Sequence, residues 1–178
     1  MKRQEEIWEK IEMKKKNVVA KNPKFFFPQE RDWTCSIACI RTILSGITDT
    51  VPTENEFIDV YNLSPGPYYS KDIKSKQLLE HYEVLYGCDA EIKAFEDLLE
   101  YMEQGFFVML ESMYNYAHWM VLLGYYPFND CDLENAKLLM YDPYYNNVRL
   151  LNVDEFLTMW IDGNHATNGI KKDFIAIR

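Results

Sequence analysis

Thr34-Cys35-Ser36-Ile37-Ala38-Cys39-Ile40-Arg41-Thr42-Ile43-Leu44 is the stretch whose reading decides the fold. Ile37, Ala38, Ile40, Ile43 and Leu44 fall nearly all round a helical wheel, which predicts a buried central helix closed by Ser45-Gly46. A helix apolar on every side must be covered on every side, so the rest of the chain has to supply layers around it. Upstream, Phe25-Phe26-Phe27-Pro28 reads as an extended apolar lead-in. Further upstream, Ile7, Trp8 and Ile11 repeat at helical spacing, which predicts an amphipathic helix over about residues 3–16.

Downstream the period changes twice. Thr53-x-x-Glu56 is a capping box ahead of Phe57, Ile58 and Tyr61, and the Pro- and Gly-rich stretch from Asn62 to Tyr69 is a loop. Helices are expected from Lys71 to Tyr86 and from about Ala90 to Glu103, the second carrying the stripe Ile92, Phe95, Leu98, Leu99 and Met102 and ending at Gly105. After that come strand-like runs: Phe106–Leu110, Ala117–Tyr125, Lys137–Tyr141 and Asn147–Leu151. A short helix from Asp154 to Trp160 and a last strand from Phe174 to Ile177 complete the pattern. A helical half followed by an antiparallel sheet is an α+β arrangement with a cleft between the halves. The expected division is residues 1–24 as N-terminal helix and lead-in, and 25–178 as one domain.

Composition narrows the function. The 178 residues are 48% apolar and 15% aromatic with a net charge of −9, a globular composition poorly suited to neutralising phosphates, so nucleic acid is not an expected partner. The charge is uneven: ten basic and six acidic residues up to Thr48, nine and 22 after it. Met1 to Lys16 holds no apolar run of a secretory signal, and no apolar stretch approaches the roughly 20 residues that span a bilayer. A cytoplasmic location with reduced thiols follows as the expectation. Cys35, Cys39, Cys88 and Cys131 form no paired framework, and no Cys-x-x-Cys or His pair suggests a metal.

Four groups stand in a suggestive chain order: the amide of Gln29, the thiol of Cys35, the imidazole of His118 opening one strand, and the carboxylate of Asp142 ending the next. A nucleophilic thiol works as thiolate, which a helix N-terminus and an adjacent imidazolium both favour. Cys35 is predicted at a helix start. His118 would shuttle the proton, Asp142 would fix its tautomer, and Gln29 would point an N–H at the developing oxyanion. Cys39 lies one turn further in and reads as packing. His81 sits on a charged helix face and His165 in a loop, and neither is followed by a strand that delivers an Asp; Asn146 and Asp130 are substitutes for Asp142. Tyr144-Tyr145 and Trp119 are either cleft lining or core.

Gln29-x5-Cys35, Ala38-Cys39, His118-Trp119-x-Val121 with Gly124, and Tyr141-Asp142-Pro143 together resemble the papain-like cysteine peptidases. Within them the C39-like group is the most similar, which includes peptidase domains that cut double-glycine leader peptides. The resemblance spans roughly Phe27 to Ile177, and Asp32-Trp33 is also similar to a related branch of guanylyl-cyclase-like proteins. Members commonly carry Gly after the nucleophile, where this chain has Ser36, and an acidic residue before it, where this chain has Thr34. The resemblance implies a papain-like fold and a cysteine peptidase or amidase that needs no cofactor and acts on a peptide or small amide. Two alternatives stay open: an acyltransferase on the same fold, and a binding module that has given up catalysis.

Overall fold

The structure, a computed structural model, describes residues 23–66, 68–74, 77–89, 96–112, 117–126, 137–162 and 172–178. The expected helix over 3–16 lies outside them, as do His165, Cys131 and Asp130. Helix α1 (Cys35–Leu44) is followed by α2 (Glu54–Tyr61), the single turn α3 (Ser70–Ile73), a 3₁₀ turn (Gln77–Leu79) and strand β1 (Val84–Tyr86). Then come α4 (Glu96–Glu103), β2 (Phe107–Ser112), β3 (His118–Tyr126), β4 (Lys137–Asp142), β5 (Asn147–Asn152), α5 (Val153–Asp162) and β6 (Phe174–Ile177). The six strands form one antiparallel sheet in the order β1-β6-β2-β3-β4-β5.

Alternation along the strands builds two cores. Met109, Val121, Leu139, Tyr141, Ile175 and Ile177 turn to one face, where they meet Ile37, Ile40, Ile43 and Leu44 of α1 and Phe57 of α2. Their neighbours Val108, Leu110, Met120, Leu122, Met140 and Phe174 turn to the other, against Leu98 and Met102 of α4 and Phe156 and Trp160 of α5. A sheet covered on both faces needs apolar residues at successive positions, so β2 and β6 are buried throughout. Each large side chain removed from water this way contributes about 1.5–3 kcal/mol. Helix α1 therefore occupies the central, covered position its composition demands, and Cys39 is wholly buried in it.

The capping box forms: Thr53 accepts from the Glu56 N–H at 3.2 Å and the Glu56 carboxylate accepts from the Thr53 N–H at 2.6 Å. Gly105 takes φ +97° and closes α4. Helix α1 ends at Leu44 with Ser45 as its cap, as expected, and Gly46 carries a constraint of its own. A Cβ there would stand 2.4 Å from the Phe107 ring, so close approach of the sheet, not helix termination, requires glycine. The expected helix from Lys71 to Tyr86 is overturned. Among its described residues only those up to Ile73, in the turn Ser70–Ile73, are α-helical, and Val84–Tyr86 pairs with the C-terminal strand, Val84 opposite Ile177. Leu78, Leu79, Tyr82 and Tyr86 have helix-like spacing, but a free sheet edge at β6 offers the Val84–Tyr86 backbone a partner that the sequence window does not contain. The start expected for α4 at Ala90 lies outside the described residues.

Candidate active site

The chemistry gathers where the N-terminus of α1 meets the ends of β3 and β4. Cys35 is the first residue of α1, and its thiol is free and half-buried. Thr34 occupies the capping position but makes no side-chain bond to the helix; its Oγ1 is turned back to the Arg31 carbonyl at 2.9 Å. No acidic residue stands in the first turn. The first-turn N–H groups and the positive end of the dipole are therefore left unclaimed by any side-chain cap, in contrast to the fully capped α2.

His118 opens β3 opposite Ser112 of β2. Its Nε2 lies 2.9 Å from Asp142 Oδ1, and the Cys35 thiol stands near enough to the ring to raise its pKa. An ionised carboxylate only accepts, so Nε2 carries a proton, and Nδ1 is the nitrogen that serves the thiol. Burial works to lower the His118 pKa, but the bond to Asp142, the nearby Cys35 thiol and the charges of both outweigh it and push the ring up to about 9. At neutral pH the ring is an imidazolium.

Asp142 is fully buried and both of its carboxylate oxygens accept hydrogen bonds. Oδ1 accepts from His118 and, at 3.1 Å, from the Tyr144 N–H; Oδ2 accepts from Arg149 Nη1 at 2.9 Å. Burial acts to raise its pKa, and the His118 bond and charge, then those of Arg149, more than cancel this and hold it below the ordinary carboxylate range.

Gln29 comes to the site on a braced loop. Its backbone N–H donates to the Pro143 carbonyl at 3.2 Å, tying it to the turn that follows Asp142. The side-chain Nε2 donates one proton to the Arg31 carbonyl at 2.9 Å, which leaves its second N–H, while Oε1 is buried without a hydrogen-bond partner. The loop is held from behind: Arg31 pairs with buried Glu54 at 2.8 Å, Glu54 also accepts the Glu30 N–H at 3.0 Å, and Arg41 pairs with Glu30 at 2.7 Å. Four residues expected at one site thus stand on one end of the fold, linked by Cys35–His118, His118–Asp142 and Gln29–Pro143 contacts.

Cys39 is excluded by its surroundings: burial first, then the Cys35 and Asp142 charges, push its thiol well up. His81 is exposed beside Glu80. Asn146 accepts from the Tyr141 hydroxyl at 2.9 Å. Trp119 is core, its Nε1 bonded to the Tyr68 carbonyl at 2.7 Å, whereas Tyr144 and Tyr145 are exposed at the rim, Tyr144 edge-on to His118. Among the described residues, Arg149 is a partner of this site that sequence reasoning missed. Its signal was present: a tight turn from β4 to β5 sets Asp142 opposite Asn147, and period two then puts Arg149 on the same face. Among the described residues no cluster of three or more His, Cys, Asp or Glu stands as a metal site, and no helix is long and apolar enough to cross a membrane.

Comparison with solved structures finds the same architecture elsewhere. The chain is similar to the peptidase domain of Streptococcus ComA, a bi-functional ABC transporter involved in a quorum sensing pathway. The match covers 85% of this chain and 94% of that one at 15% identity, with a TM-score of 0.57. At that identity the likeness is one of fold. No family model matches the chain, and no curated protein matches it.

Proposed function

We propose that the protein is a cysteine hydrolase that cleaves a peptide or amide bond through an acyl-enzyme. The observation that carries the reading is the His118 ring, bonded at one nitrogen to a buried carboxylate and standing beside a thiol at an uncapped helix start. In this reading the Cys35 thiolate attacks the carbonyl carbon and forms the S–C bond. The carbonyl oxygen becomes an oxyanion, met by the free Nε2–H of Gln29 and by backbone N–H at the start of α1. His118 Nδ1 passes its proton to the leaving nitrogen as the C–N bond breaks, then takes a proton from water as that water attacks the thioester and releases the thiolate. Asp142 keeps the ring oriented throughout. The fold shared with a peptidase domain is consistent with this chemistry.

Alkylation with iodoacetamide across pH, followed by mapping of the modified cysteines, tests the assignment. Cys35 is expected to react faster near pH 6 than Cys39 or Cys88, and His118→Ala to remove that advantage. Equal rates for Cys35 and Cys39 near pH 6, unchanged by His118→Ala, overturn the thiolate–imidazolium pair.

A further inference from the structure

Glu54 is a wholly buried acid at the first position of α2, and the helix does not use it as a cap. Thr53 and Glu56 already close that end with their reciprocal box. The Glu54 carboxylate turns instead to the loop that carries Gln29: Oε1 accepts from Arg31 Nη1 at 2.8 Å and Oε2 from the Glu30 N–H at 3.0 Å. We infer that Glu54 is a positioning residue, one that aims the Gln29 amide at the oxyanion without itself meeting the substrate. The inference rests on the proposed hydrolase reading and deepens it.

Arg31 is the relay. Its carbonyl accepts from Gln29 Nε2 at 2.9 Å, from Thr34 Oγ1 at 2.9 Å and from the Thr34 N–H at 3.2 Å, and its own N–H donates to Thr34 Oγ1 at 3.1 Å. A carbonyl takes only donors, so it holds the nitrogen end of the Gln29 amide toward Arg31 and opposes a flip that would present the oxygen. Thr34 is the residue before the nucleophile, so oxyanion donor and thiol are both tied to the Arg31 peptide. On the other side the Gln29 N–H is held by the Pro143 carbonyl at 3.2 Å. The Gln29 backbone is thus clamped between the turn after Asp142 and, through Glu30, helix α2. What fixes Arg31 in turn is Glu54, with Asn55 Oδ1 taking Arg31 Nη2 at 2.7 Å.

Stability alone does not account for this arrangement. Taking a carboxylate fully out of water costs about several kcal/mol, which its attraction to the more exposed Arg31 does little more than offset, and a well-packed apolar pair would serve as well. What a charged hold on two neighbouring residues provides, and an apolar contact lacks, is direction. An oxyanion donor depends on direction. Its N–H acts only where the charge develops, and a misplacement of about 1 Å can cost about 10²-fold in rate.

Glu54→Gln keeps the shape and loses the charge. Its kcat on one peptide is expected to fall about 10- to 100-fold with KM within about threefold of wild type. Alkylation of Cys35 by iodoacetamide forms no oxyanion and should keep its wild-type rate and pH dependence. A double-mutant cycle separates positioning from mere support: in a Gln29→Ala background Glu54→Gln should cost less than about twofold, because the group it aims is gone. Losses that multiply, an unchanged kcat, or an equal fall in the alkylation rate overturn the inference. Should Glu54→Gln not fold, Arg31→Lys takes its place in the cycle, since it leaves a cation beside Glu54 and gives up the planar fork. Protein labelled with ¹⁵N-glutamine reads the same contact without turnover. The Gln29 side-chain N–H bonded to Arg31 is expected to exchange slowly in wild type and fast in the variant, and equal exchange in both overturns the inference. Wild type that cleaves no peptide yet shows this loss of protection in the variant upholds the hold of Glu54 on the amide and overturns the hydrolase reading.

Discussion

Asp142 and Asp173 are both fully buried carboxyls at strand ends, on β4 and β6 of the same sheet with β2 and β3 between them, and they have opposite electrostatics. Asp142 closes β4 and receives an imidazolium, a guanidinium and a backbone N–H. Asp173 precedes β6; its Oδ2 accepts the Ser70 N–H at 3.0 Å, while Oδ1 has no hydrogen-bond partner. Burial pushes Asp173 up to about 6, with Asp72 adding to it, and its bonds to Ser70 and Phe174 offset only part. The same desolvation acts on Asp142 and is overcome. Burial of an acid is thus no mark of a site. Cations brought to it, one of them beside a thiol, are what distinguish the carboxylate proposed to orient His118.

The largest effect that separates the two is catalytic. Asp142→Asn is expected to lower kcat/KM by about 10²–10⁴-fold, since the amide offers the ring no charge and invites the wrong tautomer. Asp173→Asn is expected to stay within about twofold of wild type. Steady-state kinetics on one peptide reads both, and comparable losses from the two variants would break the comparison.

The pH profile sharpens it. Activity through an imidazolium should fall as pH rises through about 9, where His118 loses its proton. Asp142→Asn removes the strongest contact that raises the ring, so the falling limb should move down toward 6.5, while Asp173→Asn leaves it in place. Stability follows the same sign. A ring raised from 6.5 contributes stability fully below 6.5 that is lost as pH rises through about 9, on the order of 3 kcal/mol. Chemical denaturation at pH 6 and pH 10 measures it, and a profile flat across that range would sink the claim.

Arg149 is a finer instrument. It is nearly half exposed, so solvent screens it, and Arg149→Met should cost only about tenfold in kcat/KM. Because Arg149 helps hold Asp142 down, its loss should also move the acid limb of the profile upward, with partial return in Arg149→Lys. An acid limb that does not move would assign Arg149 to the rim alone.

What the sequence made legible here tracks how local each feature is. Cys35, His118 and Asp142 each sit at the end of a strongly periodic run, so element boundaries alone located them, and α1 was plain from its all-round apolar surface. The Thr53 cap is contained within four residues and was readable for that reason. β1 was not, because its strand partner lies about ninety residues away at Phe174–Ile177. Arg149 was hidden because its role depends on hairpin register, with Asn146 at φ +47° in the turn. Asp173 gave no signal at all, since what defines it is the Ser70 backbone N–H of a distant turn.

The smallest predicted effect is also the one that tests the physical claim most directly. Asp173 has a folded pKa near 6 against an ordinary 3.8, so between those values the folded protein keeps a proton that the unfolded chain has released. Stability therefore falls as pH rises from about 4 to about 6, and the full cost, at most on the order of 3 kcal/mol, is present at neutral pH. Asp173→Asn keeps an oxygen for the Ser70 N–H and removes the charge. Its melting temperature should exceed that of wild type at pH 7.5 by a margin equivalent to about 1–2 kcal/mol, and the two should converge near pH 4. The matching substitution at Asp142 should run the other way, destabilising at pH 7.5, because a carboxyl held below its ordinary range stabilises above that range and loses the contribution only in acid. Two buried acids, neutralised by the same single-atom change, should move stability in opposite directions. If Asp173→Asn instead destabilises at pH 7.5 as Asp142→Asn does, the unpartnered oxygen is being held by something its geometry does not reveal, and burial alone cannot be the cause of its raised pKa.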